Sequence, residues 1–194
     1  MKRILRLLIA LIGIIFLSHF LLYAKEAVNK TPLKGEAFPS IKLPTPKDID
    51  EKRYLGLPET GPFRISQLKT KVVIVEIYSL YCPQCQAFAP EVNALYRMIE
   101  QIPGLQDHIK VIGIAAGNSP LEVKAFKEKY DVSFPLFPDE DFSIHKALGE
   151  VRTPYFFVIK INKNKTHEIL YSDPGGFGEA ETFLQTILKA SGLK

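Results

Sequence analysis

The sequence predicts an α/β domain built on a central mixed sheet flanked by helices. Three observations carry that reading. The run Val72-Val73-Ile74-Val75, with Ile77-Tyr78 after one carboxylate, has the length and β-branching of a strand buried on both faces. Helix-compatible sequence follows it directly, and strand and helix signals then alternate to Leu148. Two further apolar runs, Tyr155 to Ile161 and Thr166 to Tyr171, flank the turn Asn162 to Lys165 and read as an antiparallel hairpin.

Taken in order, residues 1–24 form a targeting segment. Lys2, Arg3 and Arg6 make a basic start, and Leu7 to Leu17 is an apolar stretch, the layout of a secretory signal. Ala24 is a usable cleavage position. Left uncleaved, Leu7 to Tyr23 is barely long enough to cross a bilayer, and residues 4–23 would act as a tether to the inner membrane. Either outcome places the domain in the periplasm, where disulfides persist. The formal charge of +4 falls to +1 once Lys2, Arg3 and Arg6 are set aside. A nucleic-acid binder would show a concentrated basic face, so that class is excluded.

Residues 25–62 read as a leader and loop. Pro44, Pro46, Pro58, Gly61 and Pro62 are turn chemistry, and the segment is long enough to form a flap near the site. Residues 63–194 form the main domain, with an opening strand from about Gly35 to Leu43. Phe63 to Leu68 reads as a short strand and turn. The strand at Val72 follows, then a helix over Gln86 to Gln101 with Phe88, Val92, Leu95, Ile99 and Ile102 facing the core. Lys110 to Ala116 is the next strand. Ser119-Pro120-Leu121-Glu122 is a capping box with proline at the first helical position, opening a helix to about Tyr130. Phe134 to Phe137 is a short strand, Asp141 to Leu148 a helix, and Glu179 to Lys189 a closing helix with Phe183, Leu184, Ile187 and Leu188 inward.

The chemistry gathers where the Val72 strand hands over to the following helix. Cys82 and Cys85 are the only cysteines, separated by Pro83 and Gln84. Pro83 suits the first helical position because its missing N–H would be unpaired there. Unpaired N–H groups and the positive end of the helix dipole favour a thiolate on Cys82. Cys85 lies one turn on, on the same face, placed to resolve a mixed disulfide at Cys82. Glu76, alone in its apolar strand, is costly to bury unless it has a task. Burial would raise its pKa and suit it to take a proton from Cys85.

The stretch VEIYSLYCPQCQAF resembles the active site of the thioredoxin superfamily, with a C-x-x-C at a helix start. The buried acid of that superfamily stands six residues before the first cysteine, the place of Glu76, and Pro90 matches its helix-kinking proline. The wider chain is similar to the TlpA-like and redoxin branch, whose strand-and-helix insertion matches Phe134 to Leu148. The site wording also resembles DsbA, an oxidising member. The resemblance implies a thioredoxin-like fold and a cis bond at Thr153–Pro154. That bond would bring the Thr153 backbone beside Cys82 to pair with a client strand. Tyr81 fills the place where many relatives carry tryptophan and offers a packing face for the client.

The implied function is a periplasmic thiol–disulfide oxidoreductase acting on protein thiols and disulfides. It is read as a reductase, monomeric, served by a membrane electron-transfer partner. It would need no cofactor beyond a redox-active Cys82–Cys85 disulfide, and no metal. Alternatives stay open. Gln84 replaces the histidine of DsbA and its large helical insertion is absent, yet a thiol oxidase fits the wording. Phe88 stands where TlpA-like reductases often carry a glutamate. A copper carrier would recruit His145 or His167, with cysteines spaced one residue wider. A peroxidase would want P-x-x-x-[ST]-x-x-C; Ser79 fits it and Val75 does not.

Overall fold

A computed structural model describes residues 30–57, 61–162, 164 and 166–193. The targeting segment expected at 1–24, the leader up to residue 29 and part of the 162–165 turn lie outside the described residues. Among the described residues no helix is long and apolar enough to cross a membrane.

Five strands make one mixed sheet: β1 Val72–Tyr78, β2 Ile109–Ala116, β3 Leu136–Asp139, β4 Tyr155–Ile161 and β5 His167–Pro174, in the order β3-β2-β1-β4-β5. β1 runs parallel to β2 and antiparallel to β4. All seven of its residues are buried, which is why it carries no polar alternation. Its side chains divide between two layers. Val72, Ile74 and Tyr78 pack under α2 (Pro83–Gln101), α3 (Pro120–Lys129) and α5 (Ala180–Ser191) through Val92, Leu95, Phe126 and Phe183. Val73, Val75 and Ile77 face Phe38, Leu43, Phe63, Leu68 and Leu148 on the other side. The short α4 (Ser143–Ala147) lies between β3 and β4 in the chain.

Several boundaries differ from expectation. Gly35 to Leu43 is not a strand of the sheet. It makes two backbone hydrogen bonds with Ile169 on β5, through Gly35 and Glu36, and one isolated bridge from Leu43 to Phe63. Pro39 lacks a donor and Gly35 sits at φ +89°, so no continuous ladder forms. Phe63 to Leu68 holds that bridge and a 3₁₀ turn, Ile65–Gln67. β3 begins two residues later than expected and, as an edge strand, accommodates Pro138. Phe142 adopts a left-handed conformation at φ 58°, which delays α4 to Ser143, and Asp139 caps it by accepting the N–H groups of Ile144 and His145. Ile102, expected inward, is 43% exposed.

The presumed flap at 44–62 contains a helix, α1, Ile49–Leu55. Asp48 caps its start by accepting the Asp50 and Glu51 N–H groups, and Gly56 closes it at φ 62°. The Tyr54 hydroxyl accepts the Val111 N–H at 2.7 Å, near the start of β2. Because β1 and β2 are parallel, that contact lies at the opposite end of the sheet from Cys82. Helix α1 braces the far end of the sheet and is no flap over the cysteines.

Candidate active site

β1 ends at Tyr78, and the turn Ser79-Leu80-Tyr81 carries the chain into α2. The Cys82 N–H donates to the Ser79 carbonyl at 3.1 Å. Leu80 is held from two sides: Asn118 Oδ1 accepts its N–H at 2.7 Å, and Gln86 Nε2 donates to its carbonyl at 2.6 Å. Neither residue stands out in the sequence. Asn118 follows β2 and is wholly buried, and the Leu80 N–H pairs its Oδ1 against the cost of that burial, while among the described residues its Nδ2 has no partner.

Cys82 is the N-cap of α2, with Pro83 at the first helical position. Its sulfur accepts the Cys85 N–H at 3.3 Å, so one unpaired helix donor is turned on it. Burial of this half-exposed sulfur opposes the charge. The Cys85 thiol, the Thr153 side chain and the N–H groups of Cys85 and Gln84 outweigh it and bring the pKa below the ordinary thiol value. The Thr153 carbonyl lies 3.3 Å away and accepts from the protonated thiol only. The Thr153–Pro154 bond is cis.

Cys85 is fully buried beneath Cys82, and both thiols are free. Burial pushes the Cys85 pKa up; the neighbouring Cys82 thiol and the Glu76 charge push the same way. The two sulfurs are therefore unequal: one reachable and inclined to ionise, the other hidden and held protonated.

Glu76 lies on the same face of β1 as Val72, Ile74 and Tyr78, registered with Gly113 and Phe156. It is 3% exposed, and its Oε1 has no hydrogen-bond partner among the described residues. Burial first, then the charge on Cys82, raises its pKa to about 8. A carboxyl so placed exchanges protons near neutrality. The structure thus brings Cys82, Cys85, Glu76, Thr153 and Pro154 to one end of the sheet. Tyr81 stands outside that cluster, 68% exposed, its hydroxyl donating to Glu122 on α3. The ring nitrogen Nε2 of His145 meets the Val151 carbonyl at 2.8 Å, and that of His167 meets the Phe38 carbonyl at 2.5 Å. Among the described residues no three His, Cys, Asp or Glu side chains gather as a metal-binding set.

A model of the AhpC/TSA family matches residues 35–167. The chain belongs to the AhpC/TSA family. Within it, the chain is similar to the thiol-disulfide oxidoreductase ResA of Halalkalibacterium halodurans, 26% identical over 131 residues, covering 66% of this chain and 69% of the relative. It is likewise similar to the thiol-disulfide oxidoreductase YkuV of Bacillus subtilis, 24% identical over 143 residues, covering 71% of this chain and 88% of that protein. Among solved structures, a protein from Chlorobium tepidum described as a DsbE-type thiol:disulfide interchange protein superposes with a TM-score of 0.62 at 19% identity, over 84% of this chain and all of the other. StoA from Bacillus subtilis superposes with a TM-score of 0.56 at 18% identity, over 78% of this chain and 98% of its own. These likenesses show a thioredoxin-like fold and fit a TlpA-like member of the thioredoxin superfamily.

Proposed function

We propose that this thiol–disulfide oxidoreductase works outside the cytoplasm as a reductase of protein disulfides. The observation that carries the reading is the inequality of the two thiols: Cys82 reachable with a lowered pKa, Cys85 buried with a raised one.

The reaction begins with the Cys82 thiolate attacking one sulfur of a client disulfide. A Cys82–client S–S bond forms, the client S–S bond breaks, and the departing client thiolate takes a proton. With Cys82 now uncharged, one of the two causes that raise the Glu76 pKa is gone, and Glu76 ionises more readily. The carboxylate accepts the Cys85 proton. The Cys85 thiolate attacks the Cys82 sulfur, closing the Cys82–Cys85 disulfide and releasing the second client thiolate. The client gains two electrons and the enzyme loses two. A membrane-bound dithiol donor would return them.

How strongly the thiolate is held supports the reductive direction. A strong oxidant such as DsbA owes its potential to a highly stabilised reduced form. Here, against the cost of burial, neutral donors alone lower the Cys82 pKa, and Gln84 between the cysteines adds no cation. Equilibration with glutathione tests this. A reductase gives a potential near about −270 mV and an oxidase near about −120 mV. For location, a membrane-impermeant maleimide should label Cys82 in intact spheroplasts; labelling only after lysis would refute an external site.

A further inference from the structure

Asp139 is a carboxylate that the exchange chemistry leaves unused, yet it is 3% exposed at the end of the edge strand β3. Burying a charge is costly, and here the pairing of both oxygens offsets that cost. Oδ1 accepts the Ile144 N–H at 2.9 Å and the Ser143 hydroxyl at 3.3 Å, and Oδ2 accepts the His145 N–H at 2.8 Å. The main-chain carbonyl of the same residue accepts the Gly117 N–H at 2.9 Å and the Phe142 N–H at 3.1 Å. One residue thus joins the loop after β2 to the start of α4.

Two arms lead from Asp139 to the reactive sulfur. On the first, α4 carries His145, whose Nε2–H donates to the Val151 carbonyl at 2.8 Å. The His145 carbonyl accepts the Glu150 N–H at 3.0 Å and steadies the same stretch. Val151 stands two residues before Thr153, whose carbonyl lies 3.3 Å from Cys82 Sγ. On the second arm, Phe142 precedes α4 in the left-handed conformation at φ 58°, a strained state for a bulky residue. Its ring rests on Gly117, where a Cβ would fall 2.2 Å from it. Gly117 is followed by Asn118, whose Oδ1 accepts the Leu80 N–H at 2.7 Å, two residues before Cys82. The sulfur and the carbonyl facing it are each held at a remove of two residues, and both holds start from Asp139.

We propose that Asp139 is a positioning residue for the exchange reaction: through α4 it fixes the Cys82 turn and the Thr153 turn relative to one another. The inference rests on the reading of Cys82 as the attacking thiol. Asp139 takes no part in the bond changes. It keeps Thr153 and the N–H groups of Cys85 and Gln84 trained on a sulfur whose negative charge neutral donors hold. Loosening either arm lets those donors drift from the sulfur and weakens the thiolate.

The test follows Cys82 alkylation by iodoacetamide against pH in the reduced full chain, together with the rate at which the chain reduces oxidised glutathione. Asp139→Ala removes the cap and releases α4. It should move the Cys82 midpoint up towards 9.0 and slow the reduction by about 10-fold or more. Asp139→Asn keeps one acceptor oxygen and should recover part of both. His145→Phe keeps the bulk of the ring and removes only the donor to Val151, so it should shift the midpoint the same way with the carboxylate intact. Added to Asp139→Ala, it should change nothing further, because that arm is already loose. Tyr54→Phe, at the far end of the sheet, is the control for lost stability and should leave the midpoint unmoved. A wild-type midpoint and rate in His145→Phe and in whichever Asp139 variant folds overturn the inference. Should neither Asp139 variant fold, His145→Phe decides alone. An equal shift in Tyr54→Phe also overturns it, by marking a general loosening. The wild type separates the two levels: if its own midpoint is at or above 9.0 and it reduces no glutathione disulfide, the thiol reading falls with this one. If the wild type behaves as expected and the variants match it, only the role of Asp139 is wrong.

Discussion

Asn118 Oδ1 accepts the Leu80 N–H at 2.7 Å, joining the loop after β2 to the turn that delivers Cys82. With Gln86 on the Leu80 carbonyl, it fixes the backbone two residues before the sulfur. Asn118→Ala leaves that N–H without its partner and should cost about 1–3 kcal/mol in a urea titration. The same variant should slow alkylation of Cys82, because the sulfur no longer sits squarely on the helix donors. Unchanged stability and unchanged alkylation would show that the clamp does not position the site.

The thiol inequality predicts a pH profile. Cys82 alkylation by iodoacetamide should rise with pH to a midpoint below 9.0, the ordinary thiol value, since its pKa is lowered. Cys85 should stay unmodified until the protein unfolds. Mass mapping of the labelled cysteine checks both halves, and a midpoint at or above 9.0 refutes the thiolate argument.

Glu76 makes stability depend on pH in a definite direction. Its folded pKa, about 8, lies above the ordinary 4.5, so the unfolded chain ionises first as pH rises. Its contribution is fully present below pH 4.5 and is lost as pH climbs towards 8. The shift corresponds to roughly 5 kcal/mol. Glu76→Gln should flatten this part of the stability profile and gain most over wild type above pH 8, where the loss is complete. Parallel profiles for the two proteins would show that the carboxyl is not buried in its neutral form.

The same substitution has a kinetic signature. Without a proton acceptor for Cys85, the second exchange should slow by about 10²-fold or more. The Cys82–client mixed disulfide should then accumulate on a non-reducing gel. If it clears as fast in Glu76→Gln as in wild type, another group takes the Cys85 proton.

Tyr54 provides a contrast at the far end of the sheet. Tyr54→Phe leaves the buried Val111 N–H unpaired and should cost about 1–3 kcal/mol. Cys82 alkylation should not change, because the contact lies at the other end of β1 and β2. A fall in alkylation rate would place α1 in communication with the cysteines.

The legible parts of the chain were those whose signal is local. The β-branched run of β1, the Ser119 capping box and the Cys82-Pro83 helix start each depend on neighbours in sequence. Glu76 was visible because a lone carboxylate in an apolar strand is expensive. Helix α1 had a local signal too, Asp48 at its start and Gly56 at its end, but prolines on both sides masked it. The incomplete pairing of Gly35 to Leu43 was not visible, since it turns on how far that segment can follow β5.

Local signals therefore specify a parallel strand that ends in a cysteine-capped helix, because propensity, capping and spacing act over a few residues. Packing alone established that Asn118 and Gln86 clamp Leu80 and that Phe88 fills the room left by Gly176. Those contacts join segments far apart in the chain, and their existence depends on how the helices and loops pack at one end of the sheet.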